Sequence, residues 1–454
     1  MNVVITANSP GEVASWLRPV VEAFRRDAPE ARIRVCLTPC TFATGAEEQV
    51  VRSIPGVTSV YRPSQTVAWA LWGRRPEDMA GEGDGPGVVL FLGGDPFYAV
   101  LLSRRTRWPA AAYTEGRAPW KGAFSRYFVA HGPARQRVLQ QGVPPERVTV
   151  TGDLMLDGLT LRWPPHEGRA RLGLGEGGGP VIGLFPGSRR HELLAALPFF
   201  LKAAAQMGAW RQGARFAVAV SPFVTPQLLA AALGAGGLFS PPADKLTAAL
   251  FGEGGADGYP WSPEHRSAWV EWVAGTEGEG PAAGARAVRV LLVRGAPFDV
   301  AAASDVVLTI PGSNTAELAG LGVPMVVVLS LDHLQDVPLE GLPGLLGGVP
   351  WLGPALRRRT LERLDRKMPF LAWPNRRAGR MLVPELRKAG LTPKEVARAA
   401  LDLADDRERR EELSRALRDV MGERGAARRI VQACLELALA APKKGRSARA
   451  GSRS

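Results

Sequence analysis

Cysteine is scarce in this chain: Cys36, Cys40 and Cys434 are the only three in 454 residues. So few cannot staple a protein of this size, and the fold must rest on packing, as suits a reducing compartment. Cys36 and Cys40 stand in C-x-x-x-C spacing without a nearby His/Cys pair, so no zinc site is expected. The opening Met1-Asn2-Val3-Val4-Ile5-Thr6-Ala7 lacks the basic and long apolar regions of a secretory leader and reads as a buried first strand. The longest uncharged Leu-rich stretch, residues 341–356, is broken by Gly and Pro and falls short of the roughly 20 residues of a membrane span, so no spanning segment is expected. Zinc-finger spacing, RNP-type aromatic motifs and a basic zipper are also missing. The net charge of +13 is therefore read as a solvated or membrane-surface charge, with no nucleic-acid partner. Lys443, Lys444, Arg446, Arg449 and Arg453 lie in an acid-free tail, 441–454, expected to be disordered.

What is present is ample core material, 46% hydrophobic residues against 22% charged, in a length that suits two domains. Short apolar runs alternate with amphipathic stretches, the pattern of parallel strands joined by crossover helices. Strands are expected at 3–7, 33–37, 88–92, 110–113, 127–130 and 148–151, then at 181–185, 216–220, 288–293, 306–309 and 325–329. The glycine-rich break at 175–179 separates the two series. The expected fold class is α/β, with two doubly wound Rossmann-like domains, 1–179 and 180–390, facing a cleft. Residues 234–284 are rich in Gly, Pro and Trp and read as an insertion or loop, and 391–440 read as C-terminal helices.

Each series opens with a strand running into a glycine-containing turn, where ligands collect in doubly wound sheets. In Pro186-Gly187-Ser188-Arg189-Arg190-His191-Glu192, backbone N–H groups and a forked cation suit a diphosphate, with Glu192 one turn along to orient Arg189. An ordinary helix start capped by Ser188 explains the same residues equally well. In Pro311-Gly312-Ser313-Asn314-Thr315-Ala316-Glu317, small hydroxylated residues precede an acid placed to accept from a sugar diol; the alternative is simple helix capping by Ser313 or Thr315. A third block, Trp373-Pro374-Asn375-Arg376-Arg377-Ala378-Gly379-Arg380 followed by Val383-Pro384-Glu385-Leu386, reads only as a cationic loop before a helix.

Together and in this order, the three blocks resemble the lipid-A-disaccharide synthase family: P-G-S-R-x-x-E, a G-T/S-x-T-x-E turn with G-V-P-M five residues beyond its acid, and P-N-x-x-A-G-R with V-P-E-L. The resemblance implies a glycosyltransferase B-type fold, UDP held by Gly187, Ser188, Arg189 and Glu192 with Gly312, Ser313, Asn314, Thr315 and Glu317, and Asn375 and Arg380 beside the same pocket. It further implies an inverting transferase that moves an acylated glucosamine-type sugar from a UDP-sugar, its substrate, to a hydroxyl of a glycolipid acceptor. A homodimer and a cytoplasmic location at the inner membrane face are also implied. No cofactor is expected, and with no D-x-D pair in the chain no metal is expected either, so Arg189, Arg380 and helix dipoles would stabilise the departing UDP.

The N-terminal half departs from that family. Its G-E-A-S-G-D turn is here Gly11-Glu12-Val13-Ala14-Ser15-Trp16, without the final acid, and its P-D-F is here Asp95-Pro96-Phe97. Asp95 is the first candidate for general base and Glu12 the second, although Asp before Pro also makes an ordinary turn. His131 is read as a packed or capping residue. Val67, Trp69, Leu71 and Trp72 followed by Arg74 and Arg75, and the apolar stretch 339–356, fit a membrane surface or equally a core. Two other functions remain open: a UDP-sugar 2-epimerase of the same fold and a non-catalytic glycan- or nucleic-acid-binding protein.

Overall fold

The computed structural model describes residues 1–40, 47–79, 85–118, 120–175, 178–235, 237–252, 265–274, 287–330 and 369–440. The tail 441–454, the apolar stretch 339–356 and much of 253–286 lie outside the described residues.

The first sheet contains β1 (Asn2–Ala7), β2 (Arg32–Leu37), β3 (Val57–Tyr61), β4 (Gly87–Phe91), β5 (Ala110–Tyr113), β6 (Arg126–Val129) and β7 (Val148–Val150). Its order is β3-β2-β1-β4-β5-β6-β7, all parallel. The second contains β8 (Val181–Phe185), β9 (Arg215–Val220), β10 (Gly237–Ser240), β11 (Arg266–Ala274), β12 (Ala287–Arg294), β13 (Val306–Thr309), β14 (Met325–Ser330) and β15 (Glu385–Lys388), ordered β10-β11-β12-β9-β8-β13-β14-β15. The central strands are near-continuous runs of Val, Ile, Leu and Ala because helices cover both faces of a parallel sheet. The fold is thus the expected pair of doubly wound Rossmann-like domains, of the glycosyltransferase B type.

Three features differ from the sequence reading. First, the described part of 234–284 is not a loop: β11 pairs antiparallel with β12 and β10 with β11, extending the sheet. Trp272 is fully buried, its Nε1–H donating to the Leu233 carbonyl at 2.9 Å, and its ring occupies the space that a side chain at Gly237 would need. Second, the chain changes core before the glycine-rich break. Leu154 packs in the first core, whereas Met155, Leu156, Leu159, Leu172 and Leu174 pack in the second. Third, the C-terminal helices are shared. Pro393–Asp405 packs on the second core and Ala426–Ala440 returns to the first, placing Ile430, Val431 and Cys434 against the strands of that domain.

Among the described residues one helix, Arg190–Trp210, is long and apolar enough to cross a membrane by length and composition. Its apolar residues, among them Leu197, Phe200, Leu201 and Met207, form the middle of the second core.

Candidate active site

In the first sheet the strand order reverses between β1 and β4, and in the second between β8 and β13. Ligands of doubly wound sheets sit outside the carboxyl ends of the strands at such reversals. The turns at these four strand ends carry Glu12, Asp95, Gly187–Arg189 and Gly312–Asn314, so topology alone gathers most of the sequence candidates at the cleft.

After β8, Gly187 adopts φ +92, and a side chain there would run into Glu192 and Ile310. Arg189, not Ser188, is the N-cap residue of helix Arg190–Trp210. Glu192 reaches back to accept from the Arg189 backbone N–H at 3.2 Å and pairs with its guanidinium at 2.8 Å. Ser188 is therefore left facing the cleft. After β13, Gly312 turns at φ +152 into helix Ser313–Leu321. Thr315 lines none of the cavities described below: it is fully buried, its hydroxyl donating to the Gly312 carbonyl at 2.8 Å and accepting from Trp373 N–H at 3.0 Å. Glu317 accepts a 2.6 Å hydrogen bond from Ser15 of the facing domain. Desolvation lifts its carboxyl above the usual range, against the opposing pull of Ser15 and of the Arg18 charge.

Neither residue of the third block lies in the pocket. Asn375 is fully buried; its amide donates to the Val383 carbonyl and Glu385 at 2.9 and 2.7 Å and accepts from Leu382 and Val383 N–H at 2.7 and 2.9 Å. It ties helix Trp373–Ala378 to the strand that follows. Arg380 is exposed and lines none of the cavities described below.

In the first domain, Glu12 accepts from the Asn8 and Ser9 N–H groups at 3.2 and 3.3 Å, and any side chain at Gly93 would overlap its carboxylate. Burial raises Glu12 above the normal carboxylate range, against the lowering effect of these bonds. Asp95 differs: it is exposed and caps helix Pro96–Thr106, accepting from Phe97 N–H at 2.9 Å. His131 also caps, accepting from Ala134 N–H at 3.1 Å through Nδ1.

Three cavities adjoin across the cleft. One of about 380 Å³ lies mainly in the second domain, lined by Gly187, Ser188, Ser313, Asn314 and Glu317 and by Ala296, Pro297, Phe298 and Asp299 after β12. A middle one of about 190 Å³ lies between the turns of the two domains, bounded by Gly11, Glu12 and Trp16 on one side and Ser188, Arg189 and Gly312–Asn314 on the other. The third, about 940 Å³, opens on the first domain. Glu12, Trp16 and Trp373 line both the middle and the largest cavity and so mark their junction; Asp95 lines neither.

Besides Glu12 and His131, the largest cavity is furnished by Arg376 and Arg377, which the sequence reading quoted only as part of a cationic loop, and by Glu115, Arg117, Arg137 and Asp153, which it did not single out. Arg377, from the second domain, pairs with Asp153 of the first and donates to the Met421 carbonyl at 3.1 Å. Arg376 stacks over Trp373 at 4.8 Å. The cavity walls desolvate Glu115 and Asp153 lies nearby, which together push its carboxyl up to about 7. His131, desolvated and facing Arg377 and Arg137, is held below its ordinary value. Among the described residues no group of three or more His, Cys, Asp or Glu could hold a metal. The candidate membrane segment divides: Trp69 is buried edge-on against Tyr61 at 5.8 Å, while Leu71 and Trp72 are exposed beside exposed Arg74 and Arg75.

No protein-family model matches the chain. Similar curated proteins include the lipid-A-disaccharide synthases of Burkholderia mallei, 30% identical over 264 residues, and of Burkholderia thailandensis, 29% identical over the same length. Each match covers 58% of this chain and 49% of the relative, so the similarity spans about half the length of the curated relatives. Among solved structures, UDP-GlcNAc 2-epimerase from Neisseria meningitidis bound to UDP-GlcNAc aligns with TM-score 0.50 at 13% identity, covering 96% of this chain and 100% of that one. The S. aureus MnaA–UDP co-structure aligns with TM-score 0.50 at 13% identity, covering 96% and 97%. At such identity the likeness is one of fold. The chain is thus similar in sequence to lipid-A-disaccharide synthases and shares its two-domain fold with UDP-GlcNAc 2-epimerase.

Proposed function

We propose that this protein is a UDP-sugar-dependent, inverting glycosyltransferase that moves a glucosamine-type sugar onto a hydroxyl of a glycolipid acceptor. The observation that carries the reading is the series of cavities with one carboxylate, Glu12, at the junction. The 380 Å³ cavity falls within the roughly 300–1,000 Å³ range of small-ligand pockets and takes the nucleoside, with Glu317 toward the ribose. The diphosphate lies between the Gly187–Arg189 turn, the start of helix Ser313–Leu321 and Arg189, where backbone N–H groups and a guanidinium offset its charge. The sugar then reaches the junction, and the acceptor occupies the largest cavity.

In the reaction the acceptor oxygen bonds to the anomeric carbon as the bond to the diphosphate oxygen breaks. The acceptor proton passes to Glu12, and the electron pair leaves with UDP. Glu12 suits the task because burial has already raised its affinity for a proton. Exposed Leu71 and Trp72 with Arg74 and Arg75 support a peripheral contact with an anionic membrane face, where a glycolipid would be met.

Thermal unfolding with and without UDP tests the reading, followed by product analysis with UDP-N-acetylglucosamine. Stabilisation by UDP and transfer to a lipid-linked sugar are expected. A protein indifferent to UDP would overturn the proposal, and turnover of the sugar nucleotide without a second substrate would replace transfer by 2-epimerisation.

A further inference from the structure

Three neighbouring strands of the first sheet, β5, β6 and β7, end at the largest cavity, and the turns after them bring Glu115, His131 and Asp153 to its wall. Asp153 is engaged by Arg377. The other two are not engaged: among the described residues neither His131 Nε2 nor the Glu115 carboxyl has a hydrogen-bond partner. Both side chains line the cavity, Glu115 exposed and His131 half-buried.

Their backbones are held to each other. Tyr113 of β5 pairs with Phe128 of β6, so the turns carrying Glu115 and His131 leave the sheet side by side. Arg137, on the helix Gly132–Gln140 that His131 caps, donates to the Glu115 carbonyl at 3.1 Å and lies against Gly116, where an added side chain would meet its guanidinium.

The cap also fixes what the imidazole offers. Nδ1 accepts from Ala134 N–H, which places the proton of the neutral ring on Nε2. Desolvation and the charges of Arg377 and Arg137 favour that neutral ring, against the pull of Asp153. Nε2–H therefore only donates. Glu115 has the complementary character, with carboxyl oxygens that accept in either protonation state. A hydroxyl satisfies both at once, because it accepts one hydrogen bond and donates another. An ammonium group would find His131 a competing donor, and an anion would be repelled by an ionised Glu115.

We propose that His131 Nε2–H and the Glu115 carboxyl bind one and the same hydroxyl of the acceptor sugar, a hydroxyl other than the one that reacts at Glu12. The proposal rests on the glycosyltransferase reading above and gives it two acceptor-binding residues.

The test titrates the full chain, saturated with UDP, with octyl β-glucosaminide as the acceptor probe. His131→Ser keeps a hydroxyl to cap Ala134 N–H and removes the imidazole, while Glu115→Ala removes the carboxyl. Each should weaken glucosaminide binding about fivefold with UDP affinity kept, and the double variant should fall well short of the product of about 25-fold, because one hydroxyl links the two side chains. In ¹⁵N-labelled wild-type chain the His131 Nε2–H signal, identified by its loss in His131→Ser, should move when the glucosaminide is added. Losses that multiply to the full product, a single variant that leaves glucosaminide binding intact, or a signal unmoved at millimolar glucosaminide would overturn the proposal. A wild-type chain that does not bind UDP would instead remove the reading beneath it.

Discussion

At the switch point of the second sheet, the turns after β8 and β13 bring glycines, serines and a guanidinium to the cleft. At that of the first sheet, the turns after β1 and β4 bring glycines and a carboxylate. The backbone device is the same on both sides: a small residue lets the chain pass close to a functional group, Gly187 against Glu192 and Gly93 against Glu12. The chemistry differs. Binding an anion needs backbone N–H groups and a cation, which neighbouring residues of one turn can supply. The large polar chamber proposed to receive the acceptor takes its walls from five strand ends, those of β1, β4, β5, β6 and β7, from the helix Trp373–Ala378 and from the segment around Met421. One site is local and the other is assembled.

The largest expected effect tests this division at Glu12. Glu12→Gln should lower kcat about 10²–10⁴-fold while leaving UDP affinity intact, measured by initial rates and calorimetry; equal loss of both would place Glu12 with the nucleotide. Next comes Asn375→Ala, which strands four buried polar partners and should cost roughly 2–4 kcal/mol in chemical denaturation without changing the UDP affinity of the folded fraction. A selective loss of UDP binding would return Asn375 to the donor pocket. Asp95→Ala should remove a helix cap worth about 1 kcal/mol and leave kcat within a few-fold, whereas a loss as large as that of Glu12→Gln would make Asp95 the base. The smallest effect concerns Glu115. The fold retains its proton up to about pH 7, but the unfolded chain releases it near 4.5. Its contribution to stability is therefore complete below 4.5 and is lost as pH rises through 7; Glu115→Gln should flatten that part of a melting-temperature profile.

The local site was the legible one. Gly187, Ser188, Arg189 and Glu192 lie within six consecutive positions, and their spacing survives folding because a strand, a turn and a helix start are enough to form it. The inner strands were equally readable, since burial on both faces leaves continuous apolar runs. The strands that escaped notice, β3, β10, β11 and β15, lie at or beside sheet edges. There a strand such as Glu385–Lys388 needs no apolar run, and the alternation in Arg266–Ala274 is obscured by its tryptophans. Asn375 looked like a ligand residue because polar groups in a motif do, yet only the fold shows its amide wholly engaged. Glu115 carries no local signal, and Arg377, quoted only as part of a cationic loop, gives no hint of Asp153, which lies 224 positions away before the two meet.

Among the described residues the chain passes between the two domains near residues 154–156 and again between Met421 and Ala426. The two passages are sewn together: Asp157 accepts from Gly425 and Ala427 N–H at 2.5 and 2.6 Å, and Arg429 donates to the Thr151 carbonyl at 2.7 Å. The two crossings are thereby held to each other by three hydrogen bonds. The Ser15–Glu317 hydrogen bond is a further link between the two domains, at the cleft. On the reading proposed above, a nucleotide that takes the Glu317 carboxylate would compete with Ser15 for it, and its binding would be coupled to a link between the two domains.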